Sequence, residues 1–404
     1  MKKLVALLLT GALSVTAVAS LAACNNGSDA NTIEEKIALG QTLSEAELIE
    51  KAKAESGKFV AYGNTSRISD AMPKFIEKYG NDIGLSSGSG TKKKDSEIYT
   101  LLAAEAISKD TSENASMVLI QDSATLSLYR DQVNTLANYV PKGMEDKVDE
   151  ANRVPLAHQF INKLFMYNNT GATNLKFSNV WQLTQSAYNG KIYFKTPKEE
   201  QVNMNFLIML TSDEWAGKLK DAYKALNNGQ EATDVGEGKT YKNYGYKWIA
   251  EFVANCNFAI KSDTTICTDL AKTDNAGNMG LFVLSKLRDA GDNMKNLTIS
   301  CWEKEGDNYV TINPFAGFMY SIYAQLVTNG PRPYTAMLFV NYLMSEEGFE
   351  PWNTIGGYSS NTSIAPKDEI DQSYTFYNQR LVIENGDYIK TVKTEVEDWV
   401  NKLI

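Results

Sequence analysis

The sequence predicts an α/β protein in which a mainly parallel sheet is covered by helices. Short apolar strands alternate with polar loops and helical stripes in the first half of the chain, and this alternation is typical of parallel sheets. Similar strand and helix patterns return in the second half. Once a predicted signal peptide is removed, about 380 residues remain, which is enough for two domains with proper cores.

The N-terminus predicts a secretory signal peptide over residues 1–23. Two lysines follow Met1, and an apolar run and a stretch of small residues come next. A transmembrane helix is the alternative, but polar residues interrupt the run and no stop-transfer charges follow it. The four residues 21–24, Leu-Ala-Ala-Cys, resemble the lipobox of bacterial lipoproteins, which implies cleavage before Cys24 and lipid on its sulfur. Residues 24–41 are predicted to be a polar tether.

The first half of the mature chain is predicted to repeat a unit of strand, loop and helix. A capping box at 42–45 starts a helix that ends at Gly57. Ligands of parallel sheets bind beyond the carboxyl ends of the strands, so we expect the loops after successive strands to form a site. Serine, asparagine and glycine also suit ordinary loops, and for any single residue that alternative stays open. The predicted strands are 58–62, 82–85 and 117–121, the helices are 71–79 and 95–108, and the loops are 62–67, 86–91 and 121–123.

The second half begins near residue 164. A polar, glycine-bearing segment, 230–244, is predicted to be a surface excursion. The predicted strands are 191–194, 297–299 and 309–312, and the predicted helices are 204–210, 215–226 and 334–344.

Composition excludes several functions. The net charge of −9 argues against nucleic-acid binding, which needs basic patches. Beyond Cys24 the chain has three cysteines without zinc-site spacing and one histidine, so no metal site and no cofactor are predicted. The pair Cys256 and Cys267 is the favoured candidate for a single disulfide.

The order of these segments resembles the type 2 periplasmic-binding proteins of ABC importers, in the branch of ferric-ion and polyamine binders. Strand 58–62 with Phe-Ile-Glu-Lys-Tyr-Gly at 75–80 is similar to that family's opening, and 165–169 is similar to its first hinge strand. Trp-Gln-Leu-Thr at 181–184, Gly-Lys at 190–191 and Pro197 match a further family pattern. Arg-Pro-Tyr-Thr-Ala at 332–336 and Ser-Glu-Glu-Gly at 345–348 resemble its proline-led helix and the turn that follows.

The resemblance implies a two-lobed fold, in which each lobe is a mainly parallel sheet flanked by helices and two hinge strands, near Phe165 and Ile312, join the lobes. It implies that the protein is a monomer and is not an enzyme. The expected role is to capture a small solute and present it to permease subunits. The expected location is outside the cytoplasm, anchored to the bacterial membrane by Cys24. The lobes are expected to be 42–163 with 310–345, and 164–309 with 346–404.

The expected ligand-binding residues come from both lobes and the hinge. Serine, threonine and glycine loops together with Arg67 favour a solute with an anionic or hydroxyl-rich end. Aromatic residues of the second lobe are expected to form a wall of the cleft, although a single aromatic residue is more often part of a core. The candidates are Tyr62, Asn64, Thr65, Ser66, Arg67, Ser87, Gly88, Ser89, Gly90, Thr91, Asp122, Trp181, Trp302, Glu303, Phe315 and Tyr320.

Two other cargoes follow from the resemblance. Ferric-ion binders of the family use neighbouring tyrosines late in the second lobe, and residues 255–300 contain none here. A polyamine would need acidic and aromatic residues, and Asp122, Glu303 and the tryptophans keep that alternative open.

A serine hydrolase is the alternative from another class. Gly-Leu-Ser-Ser-Gly at 84–88 matches the G-x-S-x-G pattern, and Asp122 and His158 follow Ser86 in the order that such enzymes use. However, residues 89–91 prolong a loop where the helix of a nucleophile elbow should begin, and His158 lies in an apolar stretch. The binding-protein prediction is therefore favoured.

Overall fold

The computed structural model describes residues 32–171, 176–367 and 371–404. The predicted signal peptide and Cys24 lie outside these ranges. Within the ranges the helices are α1 (Ile33–Gly40), α2 (Glu45–Lys53), α3 (Arg67–Tyr79), α4 (Asp95–Ala106), α5 (Ser123–Asp131), α6 (Gln201–Leu210), α7 (Asp213–Leu226), α8 (Tyr244–Asn255), α9 (Asp263–Leu270), α10 (Pro333–Leu343), α11 (Glu346–Phe349), α12 (Tyr374–Asn378) and α13 (Gly386–Val400).

The strands are mostly short, apart from two long ones. They are β1 (Val60–Gly63), β2 (Ser89–Lys92), β3 (Met117–Ile120), β4 (Leu136–Ala137), β5 (Ala157–Asn168), β6 (Ile192–Phe194), β7 (Cys256–Asn257), β8 (Met279–Val283), β9 (Leu297–Ile299), β10 (Lys304–Glu305), β11 (Asn308–Tyr309), β12 (Gly317–Val327), β13 (Gly357–Ser359) and β14 (Val382–Ile383). A 3-10 helical segment, Leu284–Asn296, follows β8 and bends at Gly291.

The main sheet has two parallel ends joined by two long antiparallel strands. Its order is β2-β1-β3-β12-β5-β8-β6-β7, and β4, β9, β13 and β14 pair at its sides. Strands β1, β2 and β3 are parallel at one end, and β6, β7 and β8 are parallel at the other. The predicted α/β class, with mainly parallel sheets flanked by helices and connected by two hinge strands, is confirmed.

Each long strand contributes to both ends of the sheet. The first part of β5 pairs with β13, and the part from Lys163 to Tyr167 pairs with β8. The last part of β12, from Tyr323 to Leu326, pairs with β3, and Phe318 and Met319 pair with β14. We call β5 and β12 the hinge strands. The second of them was predicted near Ile312, but β12, which is buried at every position, forms it.

Separate aromatic clusters support the two ends of the sheet. Beside β1, the ring of Phe75 lies 5.8 Å from that of Phe59 and 4.8 Å from that of Phe339. Beyond β5, the ring of Trp248 lies 4.4 Å from that of Phe252 and 5.5 Å from that of Phe315. Burial of rings on both sides of the hinge strands stabilises two packed units.

Several local predictions are wrong or shifted. The predicted strand 82–85 is absent from the described sheet, and the predicted loop contains β2 instead. Strand β2 is polar and only partly covered, so it has no apolar alternation to reveal it. The capping box is formed by Ser44 and Glu47 rather than by residues 42 and 45. Residues 33–40 of the predicted tether form α1, which packs against α10.

The lobe boundaries stay a prediction. The first hinge strand spans 157–168 and includes the expected Phe165. Helix α11, which lies in the segment assigned to the second lobe, packs against α3 and α10 at the other end of the sheet. No helix in the described parts of the chain has the length and apolar character that a bilayer crossing requires.

Candidate ligand-binding cleft

A cavity of about 390 Å³ lies between the two ends of the sheet, with the hinge strands at its floor. That volume suits a small polar molecule. It is lined by Asn64, Thr65, Ser66, Arg67, Lys92, Gln121, Ile161, Lys163, Lys195, Glu200, Ser262, Asp263, Thr264, Val283, Ser285, Lys286, Arg288 and Tyr320. We call this cavity the cleft.

The first wall of the cleft is the N-terminus of α3. Strand β1 ends at Gly63, a three-residue turn follows, and α3 begins at Arg67. The N-cap residue, Ser66, is in the right-handed helical conformation and makes no side-chain capping hydrogen bond. Backbone N–H groups at such a helix end, together with the helix dipole, attract an anion.

A glycine contact holds β2 under this helix end. A Cβ atom at Gly90 would lie 2.4 Å from the carbonyl oxygen of Ile68, so only glycine allows this approach. The Ser69 hydroxyl donates to the Gly90 carbonyl at 2.7 Å. Gly90 therefore positions α3, and it is absent from the lining of the cleft.

The second wall combines the N-terminus of α9 with the segment after β8. The side chain of Ser262 caps α9 by accepting from the Thr265 N–H at 3.0 Å. The guanidinium of Arg288 donates from Nη1 to the Ser285 carbonyl at 2.6 Å. Ser285, Lys286 and Arg288 thus lie on one short segment that faces α3 across the cleft.

The floor of the cleft holds two ion pairs. Lys163, on hinge strand β5, is 2% exposed, and its Nζ lies 3.3 Å from Asp263 Oδ2 and donates to Asn203 Oδ1 at 2.7 Å. Lys195 pairs with Glu200, which also accepts a hydrogen bond from Gln121 Nε2 at 3.4 Å. Because Gln121 follows β3 and Glu200 precedes α6, this hydrogen bond crosses the cleft.

Positive charge dominates the cleft. Six basic residues and two acidic residues line it, and both acids are already paired with lysines of the floor. Burial, together with the smaller effect of the nearby charge of Arg288, lowers the pKa of Arg67 to about 10. Burial, Arg288 and Arg67 lower the pKa of Lys286. These cations come from opposite walls and repel one another, and an anion between them would relieve this repulsion.

The surroundings of Glu200, in contrast, stabilise its charged form. Burial by itself would raise the pKa of this carboxyl, but the charges of Lys163 and Lys195 outweigh burial and leave the pKa below its ordinary value. Glu200 is therefore a carboxylate at neutral pH, available as a hydrogen-bond acceptor.

The structure brings together five of the residues predicted to bind ligand. They are Asn64, Thr65, Ser66, Arg67 and Tyr320. Asn64, Thr65 and Ser66 form the turn before α3 and Arg67 begins that helix, where the alternation of strand and helix predicted a site. Tyr320 reaches the cleft from hinge strand β12.

The second predicted loop does not line the cleft. Ser89, Gly90 and Thr91 belong to β2, and the hydroxyls of Ser89 and Thr91 lie 3.0 Å apart at the sheet edge. Ser87 and Gly88 precede that strand and lie outside the lining. Tyr62 donates instead to Glu105 Oε1 at 3.0 Å.

The predicted aromatic wall is also absent from the lining of the cleft. Trp181 donates from Nε1 to the Leu219 carbonyl at 2.9 Å, and Phe315 is fully buried, so both are core residues. Trp302 donates to Tyr377 at 2.9 Å, and Glu303 accepts from Tyr167. Because aromatic side chains occur in cores as readily as in clefts, the sequence could not separate these two roles.

Asp122 is buried behind the cleft. Its Oδ1 accepts from Asn205 Nδ2 at 3.3 Å, and its Oδ2 lies 3.4 Å from Lys393 Nζ. Its side chain links the start of α5, helix α6 and helix α13, and Asp122 is absent from the lining of the cleft.

Sequence reasoning missed most of the basic lining. Lys163, Lys195 and the pair Lys286 and Arg288 come from three distant parts of the sequence, and only the fold brings them together. One signal was available: Ser262, Asp263 and Thr264 read as a helix start with a capping serine.

The hydrolase alternative is not supported. His158 is fully buried against the rings of Phe349 and Trp352, and neither ring nitrogen has a hydrogen-bond partner in the described chain. Burial lowers its pKa to about 3. Asp122 interacts with Asn205 and Lys393 rather than with His158, and Ser86 is exposed before β2. These residues do not form a triad.

The favoured disulfide is wrong. Cys256 and Cys267 are free, as is Cys301. The thiol of Cys256 donates to the Phe252 carbonyl at 3.3 Å, and that of Cys267 donates to the Lys286 carbonyl at 3.1 Å. Within the described ranges, no group of three or more histidine, cysteine and acidic residues could hold a metal ion.

A pH dependence is expected from Asp95, which accepts from the Gln121 N–H at 3.5 Å beside the cleft. Burial raises the pKa of this carboxyl to about 8. The folded state therefore holds a proton that the unfolded chain loses above about pH 4, and stability falls as the pH rises towards 8. Between pH 6.5 and 8, this carboxyl should lower the free energy of unfolding of the wild type by up to about 1.4 kcal/mol per pH unit. Asp95→Asn should lack this contribution.

Urea unfolding of the wild type and Asp95→Asn at several pH values measures this effect. Asp110→Asn is the matched control, because Asp110 is exposed and interacts with Ser112. Equal slopes for the wild type and Asp95→Asn would contradict the prediction.

The described chain consists of two α/β units joined by crossing strands, with the cleft between them. Comparison with solved structures finds the same architecture in other proteins. The chain has a TM-score of 0.61 and 13% identity to iron-bound HitA from Pseudomonas aeruginosa, with 86% of this chain and 99% of that one covered. The chain therefore has the type 2 periplasmic-binding-protein fold.

Two further structures show the same likeness. One is an ABC transporter protein from Clostridium perfringens, with a TM-score of 0.58, 10% identity and coverage of 86% of this chain and 98% of that one. The other is the periplasmic binding protein AfuA from Actinobacillus pleuropneumoniae, solved with fructose-6-phosphate, with a TM-score of 0.58, 14% identity and the same coverage. No family model and no curated protein sequence matches the chain.

Proposed function

We propose that this chain is the lipid-anchored solute-binding component of an ABC importer, and that its solute is a small organic anion. The observation that carries the proposal is the convergence of Arg67, Lys286 and Arg288 from opposite walls of the cleft. The names of the similar structures, an ABC transporter protein and periplasmic binding proteins, support an import role.

The charge distribution links ligand capture to closure. When the walls approach without ligand, Arg67 meets like charge on the opposite wall. An anion that contacts both walls stabilises the closed arrangement more than an open one, and only such differential affinity can shift the population. The permease subunits would then recognise the closed, loaded form.

The residues that line the cleft disfavour the two alternative cargoes, a polyamine and a ferric ion. Excess positive charge repels both a polyamine and a bare ferric ion. The only tyrosine in the described lining is Tyr320, whereas one of the similar structures is named as an iron-bound protein. An organic anion would pair with the basic side chains that line the cleft.

The proposal predicts stabilisation by anions. A panel of phosphorylated sugars, phosphonates and carboxylates should contain a compound that raises the melting temperature, because ligand at 100 times its Kd adds about 2.7 kcal/mol to the free energy of unfolding. Native mass spectrometry of fresh protein, followed by thermal-shift measurement, tests this. Spermidine is the control and should give no shift. A shift with spermidine and none with any anion would overturn the proposal.

The anchor is tested separately. We propose that lipid on Cys24 keeps the receptor beside its permease at the outer face of the membrane. Labelling of cells with a fatty acid should mark the wild-type chain and leave Cys24→Ser unlabelled. An unlabelled wild type would contradict the proposal.

A further inference from the structure

The cleft contains acceptors as well as cations, although a site for a simple oxyanion needs only donors. Asp263 and Glu200 line the same cavity as Arg67 and Arg288. A carboxylate next to a bound phosphate, sulfate or carboxylate repels it. The presence of both kinds of group therefore carries information about the ligand.

Asp263 has one oxygen to spare. Its Oδ2 pairs with Lys163 and accepts from the Val283 N–H at 3.2 Å. Its Oδ1 is buried and accepts no hydrogen bond from the described residues. A buried acceptor without a donor is unfavourable, so a donor that enters beside it gains more than it would at an exposed site.

Glu200 extends this acceptor region. Its side chain is 18% exposed, and its Oε1 receives only a long hydrogen bond from Gln121, at 3.4 Å. Ser262 and Thr264 flank Asp263 in the lining and add hydroxyl groups. The positive residues Lys286 and Arg288 lie on the neighbouring segment.

The geometry points to a ligand with two chemically distinct parts, an anionic group held by Arg67, Lys286 and Arg288 and hydroxyl donors that face Asp263 and Glu200. Asp263 is thus a specificity-determining residue. The ligand class is a polyhydroxylated organic anion, such as a phosphate ester of a sugar or polyol, rather than inorganic phosphate, sulfate or a simple carboxylate. This inference rests on the proposed function.

Two ligands of equal charge separate the contribution of the anionic group to affinity from that of the hydroxyl groups. Methyl phosphate and a hexose 6-phosphate carry the same phosphate monoester group, but only the hexose ester has hydroxyl donors. We expect wild-type protein to bind the hexose ester at least about 10-fold more tightly in calorimetry, because satisfying a buried acceptor is worth roughly one factor of ten. The parent hexose, without phosphate, should bind at least about 10-fold more weakly than its ester.

The variant Asp263→Asn removes the charge and one acceptor. It should reduce affinity for the hexose ester about 10-fold while leaving affinity for methyl phosphate unchanged or increased, because a repelling charge is lost. A merely structural role for Asp263 would weaken both ligands equally. Asp269→Asn is the matched control, since Asp269 lies on the same helix and pairs with Lys272 away from the cleft.

The outcomes distinguish the two proposals. If no anion binds, the proposed function fails. If methyl phosphate and the hexose ester bind wild-type protein equally, the anion site stands and the inference about hydroxyl recognition is overturned. This comparison needs no variant, so it remains decisive even if Asp263→Asn does not fold.

Discussion

Arg67→Ala is expected to lower the affinity for the anionic solute by about 30-fold or more, the largest effect of any single change in the cleft. Arg67 begins α3, and its guanidinium donates from Nη2 to Thr354 Oγ1 at 2.9 Å, which holds the side chain in the cleft. Loss of a charge-assisted hydrogen bond from such a position costs about 2 kcal/mol or more. Calorimetry with the ligand found in the thermal-shift panel measures the change.

The free protein should respond differently to the same substitution. Arg67 is repelled by Arg288, so its removal relieves repulsion when no anion is bound. Arg67→Ala should therefore keep the melting temperature of the free protein within a few degrees of the wild type while it weakens the ligand-induced rise. Arg130→Ala serves as control, because Arg130 pairs with Asp131 on α5. If Arg67→Ala bound the ligand as tightly as the wild type, the proposal that the solute is an anion held by Arg67 would be contradicted.

Arg67→Lys tests the geometry of the contact. Lysine keeps the charge but cannot form the planar, two-pronged contact that a guanidinium makes with phosphate or carboxylate. An intermediate loss of affinity is expected. A loss as large as that of the alanine variant would show that the fork of the guanidinium, more than its charge, binds the ligand.

The sequence was informative about the fold where apolar patterns are strong. Strand β3 is apolar at every position, and α10 carries its proline at the first helical position, so both could be located. Strand β2, with the sequence Ser-Gly-Thr-Lys, has neither feature and depends on pairing with β1. Tertiary pairing of this kind leaves no local periodicity to read.

Apart from Tyr320, the predicted residues that line the cleft come from the side that is continuous in sequence. The turn at 64–67 combines a strand end, polar residues and a helix start within a few positions. The opposite wall draws on the start of α9 and on the segment after β8, and the floor adds Lys163 and Lys195 from earlier in the chain. Single lysines are usually exposed, so nothing local marks Lys163 as a buried floor residue, although it is 2% exposed.

Lys163→Met is expected to destabilise the folded protein by about 3 kcal/mol, because it leaves Asp263 buried without its counter-ion. The side chain of Asp263 is 11% exposed, and its remaining hydrogen bond from the Val283 N–H does not replace a charge. Chemical denaturation should show a lower midpoint with an unchanged slope. Lys261→Met is the control, because Lys261 pairs with Glu199 at an exposed position and should change stability by no more than about 1 kcal/mol.

The double variant Lys163→Met/Asp263→Asn decides whether charge is the cause. A buried pair replaced on both sides by neutral groups is often as stable as the original, whereas removal of one partner is costly. The double variant should therefore recover at least half of the stability lost in Lys163→Met, and the two single effects should not add. Additive losses would mean that Lys163 stabilises β5 through its packing and its hydrogen bond to Asn203 rather than through Asp263. Recovery of stability without recovery of ligand affinity is the expected combination, because the spare oxygen of Asp263 and the charge of Lys163 both line the cleft.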